Sequence, residues 1–240
     1  MKKTYFIPLF LVALISAILF QSCRFGCVKG SGNQVTQNFK MEKFGGIEVS
    51  GGFKVNLKQD SSYKVDITGD DNLMKYIHAE VEDGKLHIYS KKNFCSSGEI
   101  IVNIGAGSLD MIKGSGAVNF TSDSKLNTGD LKLDLSGASK VDLDLNAGNV
   151  TTEGSGASEI DLKGQATSYK LELTGSGKIH AFDFVVGKYD IRTTGASDCE
   201  INVLTDLNVN TTGASDIKYR GNPANVNSTK TGASTLTKVN

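Results

Sequence analysis

Apolar and polar residues alternate on both sides of a short glycine-containing corner, and from residue 115 onward that corner keeps returning. It reads Ser115-Gly116-Ala117, Ser136-Gly137-Ala138-Ser139, Ser155-Gly156-Ala157-Ser158, Thr174-Gly175-Ser176-Gly177, Thr194-Gly195-Ala196-Ser197, Thr212-Gly213-Ala214-Ser215 and Thr231-Gly232-Ala233-Ser234, with glycine-to-glycine steps of 21, 19, 19, 20, 18 and 19 residues. Aligned on the hydroxyl residue, the flanks fall into columns. Five positions before it stand Leu131, Val150, Tyr169, Tyr189, Leu207 and Val226; three before, Leu133, Thr152, Leu171, Ile191, Val209 and Ser228. Five after it stand Phe120, Val141, Ile160, Ile179, Cys199, Ile217 and Leu236; seven after, Leu143, Leu162, Ala181, Ile201 and Tyr219. Period-two alternation around a corner predicts two half-buried strands per repeat, with these columns turned inward.

A repeat of about 19 residues is too short for a helical unit and matches one turn of a β-solenoid. One turn alone buries too few side chains to offset the ordering of its backbone, so the copies must stack and hydrogen-bond to the turns above and below. The expected fold is all-β: a right-handed parallel β-helix (β-solenoid) with about 19 residues per turn, its hand following the usual crossover chirality. A β-sandwich or β-propeller is the alternative.

Residues 41–105 are less regular and predict an N-terminal β-rich cap on the repeats of 106–240. Phe44, Ile47, Val49, Phe53, Val55 and Leu57 alternate as strands, and Ser50-Gly51-Gly52 is a degenerate corner. Tyr63, Val65 and Ile67 follow. Asp70-Asp71-Asn72 is then expected to cap a short helix running through Ile77, and Val81 to Leu86 to form a hairpin around Asp83-Gly84. The last turn, with Asn227, Ser228, Thr229, Thr235 and Thr237, is polar, as an exposed terminal repeat should be.

The first residues change the picture. Lys2 and Lys3 precede an uncharged apolar run from Tyr5 to Phe20, short for a bilayer span and suited to a signal peptide. Phe20-Gln21-Ser22-Cys23 resembles a bacterial lipobox, which makes residues 1–22 a signal peptide, Cys23 the lipidation site and residues 23–40 a lipid anchor and tether. Ordinary secretion with Cys23 free and a retained membrane helix are the alternatives. The expected place is the cell envelope, at the outer membrane, with the periplasmic or surface face left open. In that compartment Cys27 and Cys95 either pair or stay as thiols, and Cys199 reads as a small buried residue.

Composition narrows the partners. The 26 basic and 26 acidic groups balance, so no basic footprint for nucleic acid exists. With 27 Gly and 2 Pro the chain is rich in turns, and without Trp it lacks the best sugar-stacking group.

Phe44-Gly45-Gly46-Ile47-Glu48-Val49-Ser50-Gly51, Asp71-Asn72-Leu73, Glu82-Asp83-Gly84-Lys85-Leu86 and the Gly-Ala-Ser corners together resemble the DUF2807 family, described as a "putative auto-transporter adhesin" with a head GIN domain. The resemblance covers nearly all of the chain after Cys23. It implies a right-handed β-helix in an envelope lipoprotein and supplies no catalytic residues.

Chemistry-bearing motifs are sparse. Gly154-Ser155-Gly156 lacks the third glycine of a dinucleotide loop, and Gly177-Lys178 lacks the glycine and hydroxyl of a phosphate loop. His78, His87 and His180 have no metal-ligand spacing, so no metal and no cofactor are expected. Charged residues do form outward columns. Four positions after the hydroxyl residue stand Lys140, Glu159, Lys178, Asp198 and Asp216; six after, Asp142, Asp161, His180, Glu200 and Lys218. Stacked opposite charges would fix the register. The sharper reading makes Asp161, His180 and Glu200 a polar cluster that binds a cation or does acid–base chemistry, with carboxylates favouring the protonated histidine. The expected function is non-catalytic: an envelope lipoprotein for adhesion or ligand binding, offering a rigid Ser/Thr/Gly-rich face to a glycan or protein. The alternatives are a polysaccharide lyase or hydrolase, or a structural, lipid-associated envelope component.

Overall fold

The computed structural model describes residues 26–95 and 98–240. The expected signal peptide and Cys23 lie outside them. The repeats form turns that lie directly on one another. β10 (Met111–Gly116), β11 (Asn119–Ser122) and β12 (Leu126–Asn127) make one turn, followed by β13 (Leu131–Gly137). β14 (Lys140–Gly156), β15 (Glu159–Gly175), β16 (Lys178–Gly195) and β17 (Asp198–Gly213) each run from one corner to the next. β18 (Asp216–Arg220), β19 (Asn225–Gly232) and β20 (Thr235–Lys238) close the stack. Every pairing in it is parallel. The result is a β-solenoid of about 7 turns with bridged residues roughly 19 apart.

The inward columns are in direct register. Leu131, Val150, Tyr169, Tyr189, Leu207 and Val226 are successive partners, as are Phe120, Val141, Ile160, Ile179, Cys199, Ile217 and Leu236. All are buried except the last of each, Val226 exposed and Leu236 half-buried on the terminal turn. Burial pushes the Cys199 thiol up to about 12 and raises the Tyr169 and Tyr189 hydroxyls as well.

The corners explain the glycines. Gly116, Gly137, Gly156, Gly175, Gly195, Gly213 and Gly232 stand in one row, each at positive φ. A Cβ at Gly137, Gly156 or Gly175 would meet the carbonyl oxygen of the glycine one turn earlier at 2.5 Å. That carbonyl is in use: Gly137 O accepts the N–H of Ala157 at 2.8 Å, and Gly156 O that of Ser176 at 2.8 Å. Only glycine allows both the backbone angle and the stacking distance.

The turn holds a third set of inward residues that the columns do not predict. Leu145, Ala166, Phe184, Val186 and Val203 are buried on the stretch that joins one strand pair to the next. Length changes between repeats are absorbed there: the register shifts between Asp161 and Gly164, and again between Ala181 and Lys188. A fixed-period alignment therefore scatters these residues. Phe184 packs edge-on against Tyr169, with ring centroids 6.0 Å apart.

The N-terminal region interlocks with the stack. β3 (Gly46–Gly51) and β4 (Lys54–Gln59) form a turn that pairs in parallel with β10 and β11 on one side. On its other side it pairs in parallel with β7 (Lys85–Ser90) and β9 (Ile101–Ala106). The chain thus passes from β9 to β10 across a turn laid down earlier, so the solenoid begins at Gly46, and the expected boundary at 105/106 falls inside it. The covering layer is antiparallel: β5 (Lys64–Asp70) on β9, β2 (Gln34–Lys40) on β5, and β6 (Ile77–Glu82) on β7. Residues 34–40, read from the sequence as tether, are therefore a paired strand. The hairpin turns at Asp83 and Gly84, both at positive φ. The helix is a single turn, α1 (Asp71–Met74), because Ile77 is needed for β6, and Asp70 is buried and makes no side-chain cap.

β1 (Cys27–Lys29) pairs with β8 (Asn93–Cys95), and Cys27 is disulfide-bonded to Cys95. No helix among the described residues is long and apolar enough to cross a membrane.

Candidate functional site

The stacking register turns the corner sequence into one straight edge. Ser50, Ser115, Ser136, Ser155, Thr174, Thr194, Thr212 and Thr231 are successive partners. At about 4.8 Å per turn the eight hydroxyls span about 34 Å. The small residue after each glycine, such as Ala138, Ala157, Ala196 and Ala214, is exposed beside them. Ser50 and Ser115 share a hydrogen bond of 2.7 Å. The strip carries no charged side chain, is flat because the residue after each glycine is Ala, Ser or, at the first corner, Gly52, and is rigid because its backbone is hydrogen-bonded to the turns beside it.

The neighbouring wall carries the charges. Asp161, His180 and Glu200 are brought together in one column, with His180 between the carboxylates in register. His180 Nδ1 lies 3.4 Å from Glu200 Oε2. Glu159, which the sequence columns assigned elsewhere, joins from the adjacent column: ligand atoms of Glu159, Asp161 and His180 lie within 4.8 Å of one another. Two carboxylates and an imidazole are a donor set for a divalent transition metal. Lys140 already takes those carboxylates, its Nζ 2.8 Å from Glu159 Oε1 and 3.7 Å from Asp161 Oδ2. Its hydrogen bond holds the Glu159 carboxyl below its usual range and raises Lys140 in return. All four side chains are at least a quarter exposed, so the group is a solvated ion-pair ladder that fixes register.

On the wall before the corner lies an open groove of about 420 Å³ whose rim includes Ser168, Lys188, Asp206, Asn208 and Asn225. Asn225 Nδ2 donates to Asp206 Oδ1 at 2.7 Å, and Lys188 Nζ lies 3.6 Å from Asp206 Oδ2. Ser168, Lys188, Asp206 and Asn225 form one column six positions before the corner hydroxyl, and Asn208 stands four before it, but the columns read from the sequence on this side of the corner run through the apolar positions between them. Further round, amides stack on amides, Asn146 donating to Asn127 and Gln165 to Asn146 at 3.1 and 3.0 Å. Repeated Asn and Gln at that offset were the available signal.

Solved structures share this architecture. An adhesin-labelled structure ("putative adhesin") from Bacteroides fragilis is 22% identical, with a TM-score of 0.84 over 88% of this chain and 100% of that one. Another so described, from Parabacteroides merdae, is 26% identical, with a TM-score of 0.66 over 90% and 100%. A "putative lipid binding protein" from Parabacteroides distasonis is 20% identical, with a TM-score of 0.68 over 89% and 99%. No curated protein matches the chain significantly. The family model described as "Putative auto-transporter adhesin, head GIN domain" matches residues 43–223, and with the glycine row and the interlocked first turn in place the chain belongs to that family, DUF2807.

Proposed function

We propose that this protein is a lipid-anchored component of the cell envelope, at the outer membrane, whose solenoid binds a glycan or protein partner along the Ser/Thr–Gly–Ala edge in adhesion, without catalysis. The observation that carries the reading is the straight row of eight hydroxyls on a rigid, uncharged strip. A flat array of donors and acceptors with no rotamer freedom to lose in its glycines and alanines suits a repetitive or extended ligand, since little ordering opposes binding. Membership of an adhesin-labelled family supports it. Cys23 as the acylated residue supplies the anchor, and nucleic acid is not a partner.

The test is a screen of the mature protein on glycan and matrix-protein arrays, together with protease shaving of intact cells. Saturable binding and accessibility at the surface are the expected results. Cleavage of any acidic glycan, lost in Asp161→Asn and Glu200→Gln, would instead make the charged wall an active site.

A further inference from the structure

The lysines of this protein are distributed unevenly with respect to carboxylates. Between residues 106 and 220 every lysine except Lys178 stands within 3.9 Å of one. At the N-terminal end the pattern is mixed: Lys54, Lys64 and Lys85 are paired with Glu99, Asp66 and Glu48. Lys29, Lys75, Lys91 and Lys92 are exposed, and none has a carboxylate partner among the described residues.

These four belong to one patch built on β1, β8, α1 and the end of β7. Lys29 pairs in register with Cys95, and its carbonyl accepts Asn72 Nδ2 at 2.8 Å beside α1. The Lys91 N–H donates to Tyr76 O at 3.0 Å. Lys75 Nζ sits 5.1 Å above the Tyr76 ring, whose centroid is 6.4 Å from that of Phe94. Asp71, an exposed carboxylate nearby, is occupied by Ser31 Oγ at 2.6 Å and Asn33 Nδ2 at 2.9 Å. Those neutral donors leave Asp71 charged, so the patch sets four lysines against this exposed carboxylate and is basic in net, with two half-buried rings in it, the combination that suits a headgroup layer.

The covalent path from the chain's start ends in this patch. Cys27 is tied to Cys95, and three residues, Arg24 to Gly26, separate Cys23 from Cys27, a span of four residue steps that reaches at most about 14 Å. We infer that Lys29, Lys75, Lys91 and Lys92 form a footing that lies against an anionic phospholipid surface, so that the solenoid stands with its terminal turn, β19 and β20, directed away from the membrane. This rests on the anchor at Cys23 for its biological setting. The patch itself is independent of it. A footing of this kind also serves the binding edge, because it holds the row of hydroxyls upright, with Thr231 farthest from the lipid.

The experiment uses the mature chain carrying Cys23→Ser, so that no acyl chain contributes, and sediments it with vesicles. The probes are vesicles of phosphatidylglycerol with phosphatidylethanolamine, and vesicles of phosphatidylcholine alone. Binding to the first is expected to exceed binding to the second by at least about tenfold and to fall steeply between about 0.1 M and about 1 M salt. The quadruple variant K29E/K75E/K91E/K92E should lose it, while K113E/K163E, on the stack, should not. Equal binding to the two vesicle types, or undiminished binding by the quadruple variant, overturns the inference. The mass of the N-terminal peptide from membrane-derived protein reads the anchor separately, so an unacylated Cys23 with intact vesicle binding would sink the anchor and leave the footing.

Discussion

The stack from residue 131 to 213 and the region before residue 110 are both parallel solenoid, yet they are held together differently. In the stack each residue pairs with one 17 to 21 positions away, so every turn is secured by its chain neighbours. In the first turns Gly46 pairs with Lys85 and with Met111, and Lys54 with Ile101, while the disulfide joins residues 68 apart. The stack is a local structure repeated, and its failure should spread from a corner. The N-terminal region is an interlock of distant segments, and its failure should stay local.

Several measurements break or sharpen that contrast. The largest effect is expected at a stack corner. Gly156→Val forces a β-branched residue into positive φ and drives Cβ against Gly137 O, so urea unfolding should show a loss of at least about 3 kcal/mol or no folded protein. Gly52→Ala, where an added Cβ meets nothing within 4 Å, should be near neutral. Next comes the disulfide. Reducing Cys27–Cys95 or replacing both by serine should cost about 2 to 4 kcal/mol, seen as faster hydrogen exchange in β1, β8 and α1 with protection in β14 to β17 unchanged. Exchange rising throughout would show that the two regions unfold as one.

A smaller effect concerns Cys199. Buried and with its thiol pushed up to about 12, it should resist an aromatic disulfide reagent at neutral pH until the stack unfolds. Prompt labelling of the folded protein would place it at the surface. The smallest effect is in the ion-pair ladder. The Glu159 carboxyl lies below its ordinary value in the folded protein, so its contribution is present above about pH 4.5 and fades as pH falls through the lower folded value. Lys140→Gln should remove that acid-side dependence and change little at neutral pH, as read from melting temperature against pH.

What could be read in the sequence follows the same division. The glycine row, the columns through Val150 and Ile160, and the charged neighbours of His180 were legible because one period aligns them. Phe184 and Val203 were not, since repeat-length changes are absorbed beside them and no fixed offset connects them. The order of the first turns was hidden as well: nothing near Gly46 announces that Lys85 and Met111 flank it. Asp70 read as a helix cap because its neighbours favour one, but it is the buried last residue of β5 and its side chain lies against Gly30 without capping the helix. The proposed binding edge was visible as a column of Ser and Thr. The Lys140–Glu159 pair was legible within one charged column, but the reach of Lys140 to Asp161 was not, because it crosses into the next column.

The most direct test of the central claim, that the uncharged corner edge is where partners bind, compares three proteins on the same glycan and matrix-protein arrays: wild type, Ala157→Glu with Ala196→Glu on the edge, and Lys163→Glu with Asp142→Lys on the charged wall. The account predicts that the edge variant loses the wild-type ligands while folding normally and that the wall variant keeps them. Retention by the edge variant with loss by the wall variant would contradict it.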